Sequence, residues 1–405
     1  MSFVTLGDSI SIETIGRGCS GGAIRLFLPK LGLLLCVITL FLTVLVVAPE
    51  SEAFTGPCSN CHTMHNSQDG TQVDPAGAQP FLVKDACVEC HTGSTGKING
   101  FQAPLVLHTT MPTGQGAGST NAGGDFYWVV NTGDAYGHNV MELGVGQDGN
   151  INSYTPPGWD PSATSSSPFG QVAQGSATWG SQLTCAGTFG CHGRRDDGSG
   201  NPLTSFEGIG GSHHRNVGGS LGTANDIYNS YRFLGGIKGY EDPDWNWNET
   251  SATHNEYYGA DIKTGRNGVP TYSNTATISY LCAECHGFFH SEIDADDPAG
   301  SPWRRHPTDI LLPNSGEYAS YNPDNGNVYN TNVPVARPVV PVSSSSTVSP
   351  GQTDSSGAVV MCLSCHRAHG SNYPDMLRWN YSLISAGSGT TDSGCFVCHT
   401  GKNAD

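Results

Sequence analysis

Charged residues are scarce in this sequence, and basic ones are the scarcest. Charged side chains make up 13% of the 405 residues, about half the roughly 25% of an ordinary soluble domain. Because 35 Asp and Glu outnumber 18 Lys and Arg, no basic surface can neutralise a phosphate backbone, and we expect no nucleic-acid partner. Glycine is abundant instead, with 54 residues. Long amphipathic helices therefore cannot dominate the chain, and we predict mostly coil with few short helices.

One long hydrophobic run occurs, from Leu31 to Ala48. It is uncharged, basic residues precede it, and the small residues Ser51 and Ala53 follow at the spacing of a signal-peptidase site. We therefore predict that residues 1–53 are an export signal, cleaved after Ala53, and that residues 54–405 form one domain outside the cytoplasm. The alternative is an uncleaved transmembrane anchor, since the run approaches the ~20 residues that cross a bilayer.

No cysteine after the export segment stands alone. Twelve cysteines follow it as six close pairs, and a histidine comes directly after each pair. Five pairs have the spacing C-x-x-C-H, which attaches haem c. The two thiols add to the porphyrin vinyl groups, and the imidazole of the next residue reaches the iron. Five repeats of this motif predict a protein that carries several haems.

The third pair has a longer loop, Cys185-Ala-Gly-Thr-Phe-Gly-Cys191, followed by His192. We interpret it as a sixth haem site, because the histidine follows at once and the glycines allow the loop to bulge outward. The alternative for this pair is a disulfide, which is geometrically easy at that separation.

For the whole cysteine set the rival interpretations are zinc sites and a disulfide framework. Neither explains a histidine directly after every pair. We therefore predict six haem c groups. The predicted thioether cysteines are Cys58, Cys61, Cys87, Cys90, Cys185, Cys191, Cys282, Cys285, Cys362, Cys365, Cys395 and Cys398. The predicted proximal iron ligands are His62, His91, His192, His286, His366 and His399.

Nine further histidines are enough to give every iron a second imidazole. An iron with imidazole on both faces has no open position, so it passes electrons and carries out no reaction. His65, His290 and His369 lie three or four residues after a proximal histidine, on the same face of a helical turn. Two imidazoles so close cannot bind one iron from opposite sides. Each would serve a neighbouring haem, and the haems would form a continuous stack.

Several segments together resemble the OmcS-type outer-surface hexahaem cytochromes of metal-reducing bacteria. They follow the same order over nearly all of the chain after residue 53: Cys58-Ser-Asn-Cys-His62-Thr-Met-His65, Gly123-Gly-Asp-Phe, Gly137-His138-Asn-Val, Tyr231-Arg-Phe-Leu-Gly-Gly, Arg305-His306-Pro and Met361-Cys-Leu-Ser-Cys-His366-Arg-Ala-His369. Proteins of this family are mostly coil and polymerise end to end into filaments with an unbroken haem chain. The resemblance implies a homopolymer at the cell surface or outside the cell that transfers electrons to extracellular acceptors and other cytochromes and is not an enzyme.

The resemblance also implies the distal iron ligands, which are His65, His108, His138, His290, His306 and His369. In the family, the segment after the first motif supplies a ligand across the subunit interface. Here that residue is His65, reaching the haem of His366 in the next subunit. The adjacent pair His213 and His214 has no counterpart, and either is a possible substitute for one of the six. We expect His254 at the surface and Ser343 to Val348 in an exposed loop tip.

Three alternative functions stay open at this point. A monomeric periplasmic or outer-surface electron carrier would have the same haem sites without polymerisation. A multihaem reductase would need an iron with a vacant face, whereas the chain has enough histidines to close all six. A cytochrome embedded in a porin would be recovered together with a β-barrel protein.

Overall fold

The computed structural model describes residues 67–68, 71–72, 87–93, 104–113, 120–151, 153–161, 176–196, 219–221, 227–242, 249–261, 275–290, 306–387 and 394–402. The predicted ligands Cys58, Cys61, His62, His65, His213 and His214 lie outside these ranges, and so does the predicted export segment. For His290 the backbone is described and the side chain is not. Within these ranges, no helix is both long enough and apolar enough to cross a membrane.

Regular helices in the described residues are short and scattered. The α-helices are α1 (Val88–His91), α2 (Tyr127–Asn131), α3 (Ile278–Ala283) and α4 (Gly287–His290). The 3₁₀ helices are Asp134–Tyr136, Met141–Leu143, Ile227–Asn229, Tyr231–Phe233, Gly316–Tyr318, Pro323–Asn325, Cys362–Ser364, Pro374–Met376, Tyr381–Leu383, Gly394–Val397 and Thr400–Lys402. An average α-helix in a globular protein has ~11 residues, so the predicted fold class of mostly coil with few short helices is confirmed.

The strands are equally short and pair locally. They are β1 (Ser67–Gln68), β2 (Thr71–Gln72), β3 (Thr92–Gly93), β4 (Leu107–His108), β5 (Thr184–Ala186), β6 (Gly190–His192), β7 (Gly219–Leu221), β8 (Gly239–Glu241), β9 (Glu256–Tyr257), β10 (Ile310–Leu311) and β11 (Val359–Val360). β7, β8 and β9 form one antiparallel sheet, and β1–β2 and β10–β11 are antiparallel pairs. β3–β4 and β5–β6 are parallel pairs. No sheet of the described residues is large enough to form a layer of its own.

Two clusters of buried aliphatic and aromatic side chains meet at β11. Val359 packs in one cluster with Ile237 and Met361, whereas Val360 packs in the other with Val335. Successive residues of a strand point to opposite faces, so one short strand serves both clusters. Since β11 leads directly into Met361 and the fifth cysteine pair, this packing positions that pair.

A buried group of charges joins β9 to the loop before β11. Arg337 and Glu256 are both fully buried, and Arg337 Nε donates to Glu256 Oε2 over 2.8 Å. Arg337 also donates to the carbonyl oxygens of Thr347 and Ser345, at 2.9 and 2.8 Å. A buried ion pair that satisfies its remaining hydrogen bonds in this way avoids the cost of a desolvated lone charge.

The prediction that His254 lies at the surface is wrong. Its side chain is only 2% exposed, its Nε2 lies 3.1 Å from Glu256 Oε1, and its ring stacks on Tyr329 with centroids 3.6 Å apart. The predicted exposed tip from Ser343 to Val348 is also partly wrong, because Ser344 Oγ bonds the His254 backbone and Val348 is buried. The reason is the carboxylate of Glu256, which needs hydrogen-bond donors from several segments once it is buried.

Candidate haem sites

The four described C-x-x-C-H motifs share one backbone turn. In each, the N–H groups of the second cysteine and of the histidine both donate to the carbonyl of the first cysteine. The histidine bond measures 3.2 Å for His91, 2.8 Å for His286, 3.1 Å for His366 and 2.9 Å for His399. One helical turn thus carries both sulfurs and the imidazole of each motif, which is the local arrangement that covalent haem attachment requires.

In the third motif, a pair of short strands, in place of a helical turn, brings the two cysteines together. β5 and β6 pair in parallel, with Thr184 opposite Gly190 and Ala186 opposite His192, so that Cys185 lies across from Cys191. Gly187 adopts a φ of 85°, and a Cβ at Gly190 would lie 2.5 Å from the Ala186 backbone. The extra residues therefore fold back as a loop, as their glycines predicted. The ten cysteines of the described residues, these two included, form no disulfide bond.

Three predicted proximal histidines each face a predicted distal one. The ring centroids are 6.2 Å apart for His286 and His138, 6.4 Å for His192 and His369, and 6.0 Å for His399 and His306. A metal bound by two imidazole nitrogens at ~2 Å separates the ring centroids by roughly 6 Å. Each pair therefore fits one iron between its two rings.

Most of the predicted iron ligands in the described residues are held by one ring nitrogen, Nδ1. Nδ1 lies within hydrogen-bond distance of a backbone carbonyl in six of them: His91 with Pro104 (2.7 Å), His138 with Ala368 (2.6 Å), His192 with Arg232 (3.0 Å), His286 with Pro157 (2.7 Å), His306 with Pro307 (2.9 Å) and His366 with Asp375 (2.8 Å). A carbonyl accepts the Nδ1 proton, so Nε2 is the unprotonated nitrogen. This is the usual support of a metal-binding imidazole.

Two of the rings have a carboxylate in place of the carbonyl. His108 Nδ1 lies 2.5 Å from Asp125 Oδ2, and His399 Nδ1 lies 3.1 Å from Glu317 Oε1. These carboxylates were not identified from the sequence as partners of the histidines. Asp125 lies in Gly123-Gly-Asp-Phe, one of the segments that carry the resemblance. An acidic residue there, in a chain with few charged residues, was the feature that could have identified it.

Burial keeps the imidazoles neutral. It lowers the pKa of His369 to about 3 and that of His286 to about 4. Desolvation also lowers the pKa of His91, His138, His192, His306 and His366. Only the neutral imidazole binds a metal, so these rings stay competent as ligands at physiological pH. Together with the paired rings, this shows that the residues present fit haem iron.

Cysteines of different motifs adjoin. Cys282 of the fourth pair hydrogen-bonds Cys362 of the fifth, and this bond is the largest cause that raises the pKa of Cys282. The ligand atoms of Cys87, Cys185 and Glu142 lie within 4.8 Å of one another, which brings the second and third pairs together. The adjoining cysteines would therefore hold neighbouring haems at attachment points that lie next to each other.

A buried ion pair joins the third motif to the fourth. Arg195 lies three residues after His192, and Glu284 lies between the two cysteines of the fourth pair. Their side chains form a salt bridge, each only 1% exposed. The ion pair therefore fixes two consecutive motifs to each other.

Glycines line the segment that carries His366 and His369. A Cβ at Gly124 would lie 2.0 Å from the Gly370 carbonyl oxygen, and one at Gly123 would lie 3.0 Å from two ring atoms of His369. The His369 N–H donates to the Gly123 carbonyl over 2.7 Å. The segments that carry the resemblance thus pack directly on a predicted ligand, a role the sequence did not reveal.

Comparison with known proteins agrees with this site. The model of a doubled CXXCH motif matches residues 356–404. The C-type cytochrome OmcS of Geobacter sulfurreducens is 28% identical over 396 residues, which cover 86% of this chain and 86% of that protein. Two solved structures also match, each over 86% of this chain and 92% of its own: the outer membrane cytochrome S filament, with 19% identity and a TM-score of 0.38, and the OmcS nanowires, with 20% and 0.39, both of Geobacter sulfurreducens. The predicted resemblance to the OmcS-type cytochromes is confirmed by this relative, and the doubled CXXCH motif indicates the attachment of haem c.

Proposed function

We propose that this chain conducts electrons outside the cytoplasm through six haem c groups, each with two imidazole ligands, and that its copies polymerise into a filament. The observation that carries the proposal is the spacing of the imidazole pairs, whose centroids are 6.0 to 6.4 Å apart. An iron closed on both faces exchanges electrons without binding a substrate.

Three of the six irons obtain both ligands from these pairs. His138 completes the fourth haem, His369 the third and His306 the sixth. His366 and His369 thereby bind different irons, as the sequence spacing predicted, and one short segment links the third and fifth haems. When bound, the haems supply the redox chemistry, whereas this chain supplies their spacing, their ligands and the exclusion of water.

We assign His108 to the iron of the first motif. Gly93 lies opposite His108 in the β3–β4 pair, and the ladder continues to His91, whose carbonyl accepts the Val106 N–H over 2.9 Å. His91 and His108 therefore belong to the same face of neighbouring strands, where they cannot bind one iron from opposite sides. His62 then pairs with His108. His91 pairs with His290, or with His213 or His214 as the substitute.

The fifth haem is assigned a ligand from the next subunit. His366 has its Nδ1 held by the Asp375 carbonyl, and no histidine whose side chain the structure describes has its ring paired with that of His366. His65 of the neighbouring copy, which the resemblance implies as an inter-subunit ligand, would complete this iron. Each subunit interface would then contain a covalent haem of one copy and an imidazole of the other, so the haem chain would continue from subunit to subunit.

The same proposal covers export and partners. Residues 1–53 direct the chain out of the cytoplasm, and residues 54–405 form the cytochrome at the cell surface or in an extracellular filament. The similar solved structures are a filament and nanowires. We propose that this chain forms a homopolymer as well. Its electron partners would be other cytochromes and extracellular acceptors. The excess of acidic over basic residues in the sequence opposes lateral association of such filaments at low salt.

The test is the mass and the shape of the secreted protein. We expect the mass of residues 54–405 plus six haems, a pyridine haemochrome assay of six haems per chain, and filaments in cryo-electron microscopy. Five haems with a disulfide between Cys185 and Cys191 would overturn the third site. Six haems in particles that never polymerise would overturn the filament and leave a monomeric carrier.

The interface is tested by His65→Ala. We expect monomers or short oligomers in which one haem per chain has become high-spin, since one iron has lost an axial imidazole. His254→Ala is the matched control, because His254 is a buried histidine whose ring nitrogens face Thr250 and Glu256. Unchanged filaments in the His65→Ala protein would reject the assignment.

A further inference from the structure

The partners of Nδ1 divide eight of the proposed iron ligands into two groups. Six rings face a neutral backbone carbonyl, whereas His108 and His399 face a carboxylate. A carboxylate is a stronger acceptor than a carbonyl and brings a negative charge next to the ring. The proposed haems therefore differ in electronic environment, although all of them have the same type of ligands.

The side chain of Asp125 is held in place by burial and by hydrogen bonds to both of its oxygens. Its side chain is 0% exposed. Oδ1 accepts the backbone N–H groups of His108 and Tyr127, at 3.0 and 2.9 Å, and Oδ2 accepts Nδ1 of His108 at 2.5 Å. The Asp125 N–H donates to the Gly370 carbonyl over 3.0 Å. Both oxygens are thus used, and the carboxylate points at the imidazole from a fixed backbone.

The carboxylate acts on the iron through the imidazole. An acceptor that draws on the Nδ1 proton makes Nε2 more basic, so the ring donates more electron density to the metal. This favours ferric over ferrous iron, and burial strengthens the effect because water does not screen the charge. We propose that Asp125 gives the haem bound by His108 a lower reduction potential than the haems whose described ligands face only backbone carbonyls. The inference rests on the proposed haem ligation and adds a positioning residue to it.

Glu317 provides an internal comparison. Its distance to His399 Nδ1 is longer, 3.1 Å, its side chain is 26% exposed, and Lys402 Nζ lies 3.4 Å from its other oxygen. Solvent and the ammonium group both reduce the field of this carboxylate at the ring. The haem of His399 should accordingly have a potential between that of the His108 haem and those of the haems whose ligands face only carbonyls.

The consequence for conduction is a repeated step in each subunit. Reduction of the iron by one electron would leave the hydrogen bond between His108 Nδ1 and Asp125 Oδ2 in place. An electron on the His108 haem would therefore be held less tightly than on the haems whose ligands face only carbonyls. In a polymer of identical subunits, this step would recur once per copy.

The experiment compares Asp125→Asn with Glu317→Gln in the secreted, haem-loaded protein by spectroelectrochemical titration. In Asp125→Asn we expect the midpoint potential of one haem to rise by ~59 mV, which corresponds to an about tenfold increase in the ratio of reduced to oxidised haem at a fixed potential. In Glu317→Gln the midpoint potential of a different haem should rise by less. An Asp125→Asn protein that keeps six haems and six unshifted midpoint potentials would overturn the inference.

A second measurement needs no variant, and it decides the question if the Asp125→Asn protein loses haem. Near-infrared magnetic circular dichroism of the oxidised wild type reports the donor strength of the axial nitrogens. We expect the near-infrared band of one low-spin haem to lie furthest from the bands of the others. Six identical bands would overturn the inference. The haem count is read first: fewer than six haems in the wild type contradicts the proposed function, whereas six haems with uniform spectra contradicts only the role of Asp125.

Discussion

Two regions of the molecule pack by opposite means. Around His369, backbone lies directly on backbone: a Cβ at Gly124 would be 2.0 Å from the Gly370 carbonyl oxygen, and one at Gly137 would be 2.3 Å from the His369 carbonyl oxygen. Beside β11, side chains fill the space, and Val335 is fully buried among aliphatic and aromatic neighbours. The chain thus has glycines where segments that carry predicted iron ligands approach, and it uses ordinary core packing beside β11.

The largest loss of stability is expected in the core region, from Arg337→Met. This change leaves the carboxylate of Glu256 buried without its guanidinium, which typically costs about 3–5 kcal/mol. Denaturant unfolding measures the loss. Arg194→Met is the matched control, because its pair with Asp196 is exposed. The haem spectrum should stay the same in both variants, and equal stabilities of the two would contradict the prediction.

The next largest effect is expected in the glycine-lined region, from Gly124→Ala. Gly124 has a φ of 83° and no room for a Cβ, so overpacking and backbone strain together cost about 2–4 kcal/mol. Unlike Arg337→Met, this change should also disturb the ligands of the third haem, seen as a loss of low-spin absorbance.

Gly144→Ala separates the two causes. Gly144 also has a positive φ, of 67°, but a Cβ there would meet nothing within 4 Å. We expect only the backbone cost, about 1 kcal/mol, and an unchanged haem spectrum. If Gly144→Ala perturbed the haems as much as Gly124→Ala, the close packing of Gly124 would not be the cause.

Val335→Ala sharpens the comparison from the other side. Removing two methyl groups from this fully buried side chain should cost about 2 kcal/mol, while all haem midpoints stay in place. Val339→Ala is the control, since Val339 is exposed. A shift of any haem midpoint in Val335→Ala would show that the two regions are coupled.

A small effect on stability, and the most specific effect on one haem, is expected from Gly123→Ala. The new Cβ would lie 3.0 Å from ring atoms of His369, so the ring must move by a few tenths of an ångström. We expect a loss of about 1 kcal/mol and a changed EPR signal of one haem, which reports the orientation of its axial imidazole. An unaltered EPR spectrum would contradict the placement of His369 against this glycine.

The sequence predicted the local part of the fold and of the site. The low charge and high glycine content predicted coil with short helices, and the structure confirms it. The spacing of each C-x-x-C-H motif predicted its role because the sulfurs and the imidazole come from one turn. These inferences needed no knowledge of distant residues.

The partners of the rings could not be predicted in the same way. His138 is held by Ala368, 230 residues further along the chain, and no pattern in either segment announces that contact. His254 was predicted to lie at the surface, whereas in the structure it is buried beside the carboxylate of Glu256. Asp125 was visible in the sequence, but its hydrogen bond to His108 depends on how the loop after β4 folds back.

By itself, the sequence predicted where haem would attach and determined that regular secondary structure is sparse, because thioether chemistry and glycine conformation act within a few residues. Only the tertiary structure decided which imidazoles face each other, which of them face a carboxylate and where glycines are indispensable. Those properties depend on distances between segments far apart in the chain, which backbone hydrogen bonds and close packing set together.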